Sequence, residues 1–144
     1  MSDVTKVLEG KGSGVLRIEA DATVFDAIKR MVDANVGALL VTERERVVGI
    51  VTERDYLRRV TLEGRTEEDT LVREIMTSPL VYVTPETSVD ECMAVMTERR
   101  IRHLPVFAED RELVGVVSIG DLVKFQSKQQ GFQIKLLTDY IEST

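Results

Sequence analysis

Two stretches of this chain repeat each other at a nearly constant offset, and that duplication limits what the chain can fold into more than any other feature. Val24 and Val89, Met31 and Met96, and Val41 and Val106 are each 65 residues apart. Gly49 and Gly115, Thr52 and Ser118, and Asp55 and Asp121 are each 66 apart. One extra residue in the second copy, within 107–114, accounts for the change, and a surface turn tolerates such an insertion. Self-similarity at a fixed period means that one supersecondary unit has been used twice.

Each copy reads alike. Val24, Ala27, Ile28 and Met31 recur at helical spacing, as do Val89, Cys92, Met93 and Met96. Asp21-Ala22-Thr23 and Pro85-Glu86-Thr87-Ser88 supply N-terminal caps. Apolar runs follow at 38–42 and 47–51, and at 104–107 and 113–117, each pair separated by a polar turn as in a hairpin. A second helix starts at Glu53 and at Ile119, and a short strand precedes each first helix, at 15–18 and 80–83. The expected fold is α/β, with each copy running strand, helix, strand, strand, helix. About 65 residues hold little private core, so the copies are expected to pack together. The segments are a lead-in at 1–14, the first motif at 15–60, a linker at 61–76 carrying a short helix near 71–76, the second motif at 77–125, and a C-terminal helix at 126–144. In that tail Ile134, Leu137 and Ile141 share one helical stripe, a candidate packing or dimer surface.

The sharpest chemical feature is Gly49-Ile50-Val51-Thr52-Glu53-Arg54-Asp55, echoed by Gly115-Val116-Val117-Ser118-Ile119-Gly120-Asp121. A strand ends in a hydroxyl residue, and a carboxylate follows one helical turn later. A capping box accounts for this pattern, with Thr52 or Ser118 capping the helix and the acid answering the cap's amide. The same geometry suits a ligand. Free N–H groups at the helix start and the hydroxyl attract phosphate, while the carboxylate accepts the two hydroxyls of a ribose. The glycines would let a ligand approach the backbone.

These residues resemble the CBS domain, and their pairing resembles a Bateman module, over 15–124 in two copies. The segments GIVTERDYLRRV, IRHLPV and GVVSIGDLVK are similar to those of small stand-alone CBS-pair proteins of bacteria and plant organelles. The resemblance implies two motifs packed with pseudo-twofold symmetry and adenosine ligands in the clefts between them. It gives Thr52 and Ser118 to phosphate, and Asp55 and Asp121 to ribose. Val36, Gly37, Ala38 and Leu39, matched by Arg102, His103, Leu104 and Pro105, would meet the base. Leu16, Val81 and Thr77 would wall the clefts, and Arg54 would add positive potential. It further implies AMP, ATP or NAD as effector, a homodimer, no catalysis, and a regulated partner, which for some plant relatives is thioredoxin. Leu40 stands where the family often has the proline seen at Pro105. Gly37 and Ala38 align with Arg102 and His103, so the two sites are expected to differ, with Arg102 and His103 near phosphate. Local hydrogen bonding is the plainer role for His103, and a solvated helix face the plainer one for Arg54, Arg58, Arg59, Arg99 and Arg100.

The remaining features exclude other classes. With 25 acidic and 19 basic residues the net charge is -6, the wrong balance for a general nucleic-acid binder. One cysteine forbids an intrachain disulfide, and one histidine leaves no set of soft metal ligands. Cys92, on its apolar stripe, reads as core rather than reactive thiol. Gly10-Lys11-Gly12-Ser13-Gly14 lacks phosphate-loop spacing and reads as a flexible lead-in. A single histidine supplies no nucleophile–base–acid set, and Asp55 and Asp121 stand in separate repeats rather than as a hydrolytic pair. Apolar runs are too short to span a bilayer, and the N-terminus lacks a secretory pattern. The expected location is the cytoplasm, or an organellar matrix if a transit peptide has been removed. The rival to a sensor is an interaction or scaffold module with vestigial clefts; a small nucleotide hydrolase is the other alternative.

Overall fold

Thr23 and Ser88 sit in extended backbone, and their hydroxyls accept the amides of Asp26 and Glu91, so the same cap starts the same helix twice. In a computed structural model, which describes residues 3–11 and 15–129, these helices are α2 (Val24–Ala34) and α5 (Val89–Arg99). Both end on a residue in left-handed conformation, Asn35 (φ 55°) and Arg100 (φ 56°). The described residues form two compact units, one of residues 15–81 and the other of 3–11 and 82–129.

The first unit contains β1 (Arg17–Glu19), α2, β2 (Ala38–Glu43), β3 (Arg46–Thr52), α3 (Glu53–Tyr56) and α4 (Val72–Ile75). Its sheet has the order β1-β2-β3, with β1 parallel and β3 antiparallel to β2. Ile18, Val24, Met31, Leu39, Val41, Val51, Val60 and Ile75 fill the core. Truncating a buried residue such as Met31 to alanine costs about 2–5 kcal/mol. A π-helical turn, Leu57–Thr61, follows α3 directly. The polar stretch after it is hydrogen-bonded to the unit, with Val24 donating to Thr70 O and Phe25 to Glu67 O.

The other unit contains α1 (Val4–Glu9), α5, β4 (His103–Phe107), β5 (Leu113–Ser118) and α6 (Ile119–Gln129). The register of the two hairpins matches. Ala38 pairs with Thr52 and His103 with Ser118; Val41 pairs with Gly49 and Val106 with Gly115, and each hairpin has its irregularity one step later. The extra residue lies in the second turn, where 108–112 replaces 43–46.

One expected strand is shortened, and one helix is unexpected. The strand expected at 80–83 is reduced to one parallel bridge, between Val83 and Val106. In the first copy Leu40 donates to Leu16 O; its counterpart Pro105 has no N–H to donate, so the edge ladder narrows to the bonds on either side of Val83. The lead-in, for which the sequence suggests no element before Gly10, carries a helix at residues 4–9, with Val4 and Val7 buried. Val4 donates to Thr87 O as Val72 donates to Ala22 O, and Asp3 bridges Ser88 as Leu71 bridges Thr23. Thus α1 caps the second copy as α4 caps the first. Residues 12–14 and the tail stripe of Ile134, Leu137 and Ile141 lie outside the described residues.

Candidate functional site

A buried strand delivers each candidate carboxylate to the start of a helix. In the first copy Asp55 Oδ2 accepts Thr52 N at 2.9 Å and the Thr52 hydroxyl at 3.1 Å, while Asp55 N donates to Thr52 Oγ1 at 3.2 Å. In the second, Asp121 Oδ2 accepts Ser118 N at 2.8 Å and Asp121 N donates to Ser118 Oγ at 3.1 Å. Both are complete capping boxes. The helix-start N–H groups expected to be free are partly engaged: Glu53 donates to Gly37 O and Ile119 to Arg102 O.

The glycines also act differently from expectation. The close approach at each is made by the chain itself. A Cβ on Gly49 would lie 2.8 Å from Thr77 O and 2.9 Å from Met76 Sδ, and one on Gly115 would lie 2.8 Å from Leu8 Cδ2.

The first unit brings Thr52, Asp55, Gly37, Ala38 and Thr77 together. Gly37 is tied to the helix start, Ala38 faces Thr52 across the ladder, and Thr77 exchanges both backbone bonds with Ile50. Leu39 is buried in the core, so it offers a ligand only its backbone. Val36 and Leu16 are exposed, as is Arg54. Arg59 points its guanidinium at Ile75 O and Met76 O, close enough to Asp55 to favour its charge. Burial nevertheless dominates and raises the Asp55 pKa above its ordinary value, against the hydrogen bonds from Thr52.

The second unit brings Ser118, Asp121, Arg102 and His103 together, with His103 opposite Ser118 on the ladder. Leu104 and Pro105 are buried and present backbone only. Val81, aligned with Leu16, is the half-buried last residue of the other unit. Sequence reasoning missed Lys11. Its ammonium lies 2.7 Å from Asp121 Oδ2 and 2.6 Å from Val116 O. Burial is the largest single influence on Asp121 and pushes its pKa up, but Lys11 and the Ser118 amide together hold it below the usual carboxylate value. His103 is held below the ordinary imidazole value, first by burial and then by the positive charges of Lys11 and Arg102, against the pull of Asp121. Cys92 is buried, and burial pushes its thiol up to about 11.

Among the described residues no cluster of three or more His, Cys, Asp or Glu side chains could hold a metal, and no helix is long and apolar enough to cross a membrane. A depression of about 530 Å³ beside α2, lined by Glu19, Asp26 and Arg30, contains none of the expected site residues.

The repeated hairpin with a capped Thr/Ser-x-x-Asp helix start defines the class. The CBS domain model matches residues 13–61 and 72–128, and the chain belongs to the CBS domain family. The mitochondrial CBS domain-containing protein CBSX3 of Arabidopsis thaliana is 41% identical over 148 residues, covering 96% of this chain and 71% of that protein. A solved protein with CBS domains from Burkholderia ambifaria is 46% identical, with a TM-score of 0.87 over 92% of this chain and 99% of its own. A hexameric CBS-CP12 protein from bloom-forming cyanobacteria is 29% identical, with a TM-score of 0.78 over 99% of this chain and 82% of its own. CBS domain proteins are generally regulatory modules that bind adenosine-containing ligands, and stand-alone pairs are typically non-catalytic.

Proposed function

We propose that this chain is a regulatory sensor that takes an adenosine-containing nucleotide, AMP, ATP or NAD, at its two Thr/Ser-x-x-Asp helix starts and relays occupancy to a partner. The observation that supports it most is the recurrence of one arrangement in both copies: a carboxylate held by its cap through Oδ2. The cap uses one oxygen, so the other is available to accept ribose hydroxyls, and a charged acceptor strengthens those bonds. The hydroxyl of Thr52 or Ser118 and the adjacent N–H of Arg54 or Gly120 would meet phosphate. Signalling requires that the ligand bind one arrangement of the module better than another, since affinity alone shifts no equilibrium.

Self-association fits this reading, and the hexameric relative supports it; we propose a homodimer as the basic unit. A thioredoxin-like partner follows from the resemblance to plant relatives. The mitochondrial relative favours an organellar matrix, and the cytoplasm is the other setting. The second reading, an interaction module with vestigial clefts, draws on the capping boxes, which by themselves account for both carboxylates.

Calorimetric titration with AMP, ATP and NAD on wild type, Asp55→Ala and Asp121→Ala separates the two. A sensor loses affinity for a nucleotide in at least one variant. An interaction module shows altered stability in the variants and no nucleotide binding in any. Nucleotide recovered intact after prolonged incubation at stoichiometric protein excludes a hydrolase.

A further inference from the structure

The two helix starts differ in what reaches their carboxylates. In the first copy the chain after α4 brings Thr77, whose N–H donates to Ile50 O at 2.8 Å and whose hydroxyl weakly favours the Asp55 charge. In the second copy the residue equivalent to Ile50 is Val116, and Val116 O accepts from the Lys11 ammonium instead. The same ammonium is on Asp121. One charged group, delivered by the chain after α1, thus replaces both an amide and a hydroxyl. Lys11 is 40% exposed, which leaves its flexible stem free to redirect the ammonium.

We propose that Lys11 is a displaceable counter-ion that makes the second site select phosphorylated nucleotides over nucleosides. This rests on the nucleotide-sensing reading above. With the site empty, Lys11 neutralises Asp121. Lys11 shares Oδ2 with the cap, so a ribose on Oδ1 draws on the same carboxylate charge and loosens the ion pair, and the loosened ammonium then needs another anion nearby. A nucleotide supplies one in its phosphate, at the Ser118 helix start and beside Arg102; a nucleoside does not. Asp55 faces hydroxyls instead of an ammonium, and the nearby Arg59 guanidinium is held on Ile75 O and Met76 O, so the first site lacks a displaceable counter-ion on its carboxylate.

The test uses calorimetry with AMP and adenosine on the full chain carrying Asp55→Ala, which silences the first site, with Lys11 intact, Lys11→Met or Lys11→Arg. The expected result is a preference for AMP that falls by roughly tenfold or more in Lys11→Met, mostly through weaker AMP binding, with adenosine held as well or better. Lys11→Arg keeps the preference and also serves if the methionine variant does not fold. If AMP still binds, and Asp121→Ala abolishes that binding, but Lys11→Met leaves the AMP-to-adenosine ratio unchanged, Lys11 is a structural pin and the proposal is overturned while the sensor reading stands. If AMP, ATP and NAD fail to bind the wild-type chain, the sensor reading falls and this proposal with it.

Discussion

Oδ2 of Asp55 accepts both the amide and the hydroxyl of Thr52, at 2.9 and 3.1 Å, yet burial leaves its charge less favoured than in the unfolded chain. Asp121 makes the equivalent bond to Ser118 and gains Lys11 besides. The same motif therefore carries opposite electrostatic consequences in the two copies.

Asparagine at each position measures that difference, because its amide oxygen can keep the cap. The folded-state pKa of Asp55 is raised, so its ionised form opposes folding at neutral pH, and that opposition fades as pH falls towards its unfolded value. Asp55→Asn should leave stability unchanged or raise it at pH 7. Asp121 is shifted the other way, and its contribution is present above the unfolded carboxylate value and lost on acidification. Asp121→Asn should lower stability by about 0.5 kcal/mol, as befits a partly exposed pair. Urea denaturation at pH 7 checks the signs, and equal losses in both variants would contradict the assignment.

Gly49 and Gly115 occupy equivalent positions but face different neighbours. A methyl group at Gly49 meets the carbonyl of Thr77, which accepts Ile50 N while the Thr77 N–H donates to Ile50 O. At Gly115 it meets the end of the Leu8 side chain, which can rotate away. Gly49→Ala should cost about 2 kcal/mol through overpacking. Gly115→Ala should lie near zero, since a smaller clash is offset by the reduced freedom of the unfolded chain. Melting temperatures of the two variants decide this, and the reverse order would contradict the packing described.

His103 is the only histidine in the chain and is surrounded by Lys11, Arg102 and Asp121. Its folded pKa is depressed, so below pH 6.5 the unfolded chain binds the proton more readily than the folded one. Stability tied to His103 is therefore complete above that pH and is lost as pH falls through the window beneath it. Wild type should lose more stability than His103→Gln between pH 7 and pH 5. Parallel denaturation curves at the two pH values test this, and an identical loss would mean that His103 titrates as it does in the unfolded chain.

Much of this was legible in the sequence because local patterns and long-range packing agree. Thr23 and Ser88 announce α2 and α5, and Gly49 to Asp55 announces a strand leading into a capped helix, each twice. What escaped were features whose cause lies far along the chain. Val4-Thr5-Lys6-Val7-Leu8 is too short to show helical periodicity, and its packing partners are Thr87, Ser88 and Gly115. Its echo of Val72-Arg73-Glu74-Ile75-Met76 was the available signal. Lys11 was hidden for the same reason, since only folding brings it 110 positions along the chain to Asp121. Residues 80–83 have the composition of a strand yet form one bridge, because the missing donor sits on the neighbouring strand, at Pro105.

The most direct test is thermal unfolding of wild type, Asp55→Ala and Asp121→Ala with AMP, ADP, ATP, NAD, NADH or S-adenosylmethionine at millimolar concentration. A ligand present at about 100 times its dissociation constant adds about 2.7 kcal/mol. In a chain of this length that raises the midpoint by several degrees. The sensor account predicts such a rise for at least one adenosine nucleotide, reduced or abolished in an aspartate variant. No rise with any of the six ligands, or a rise that both variants retain in full, would contradict it.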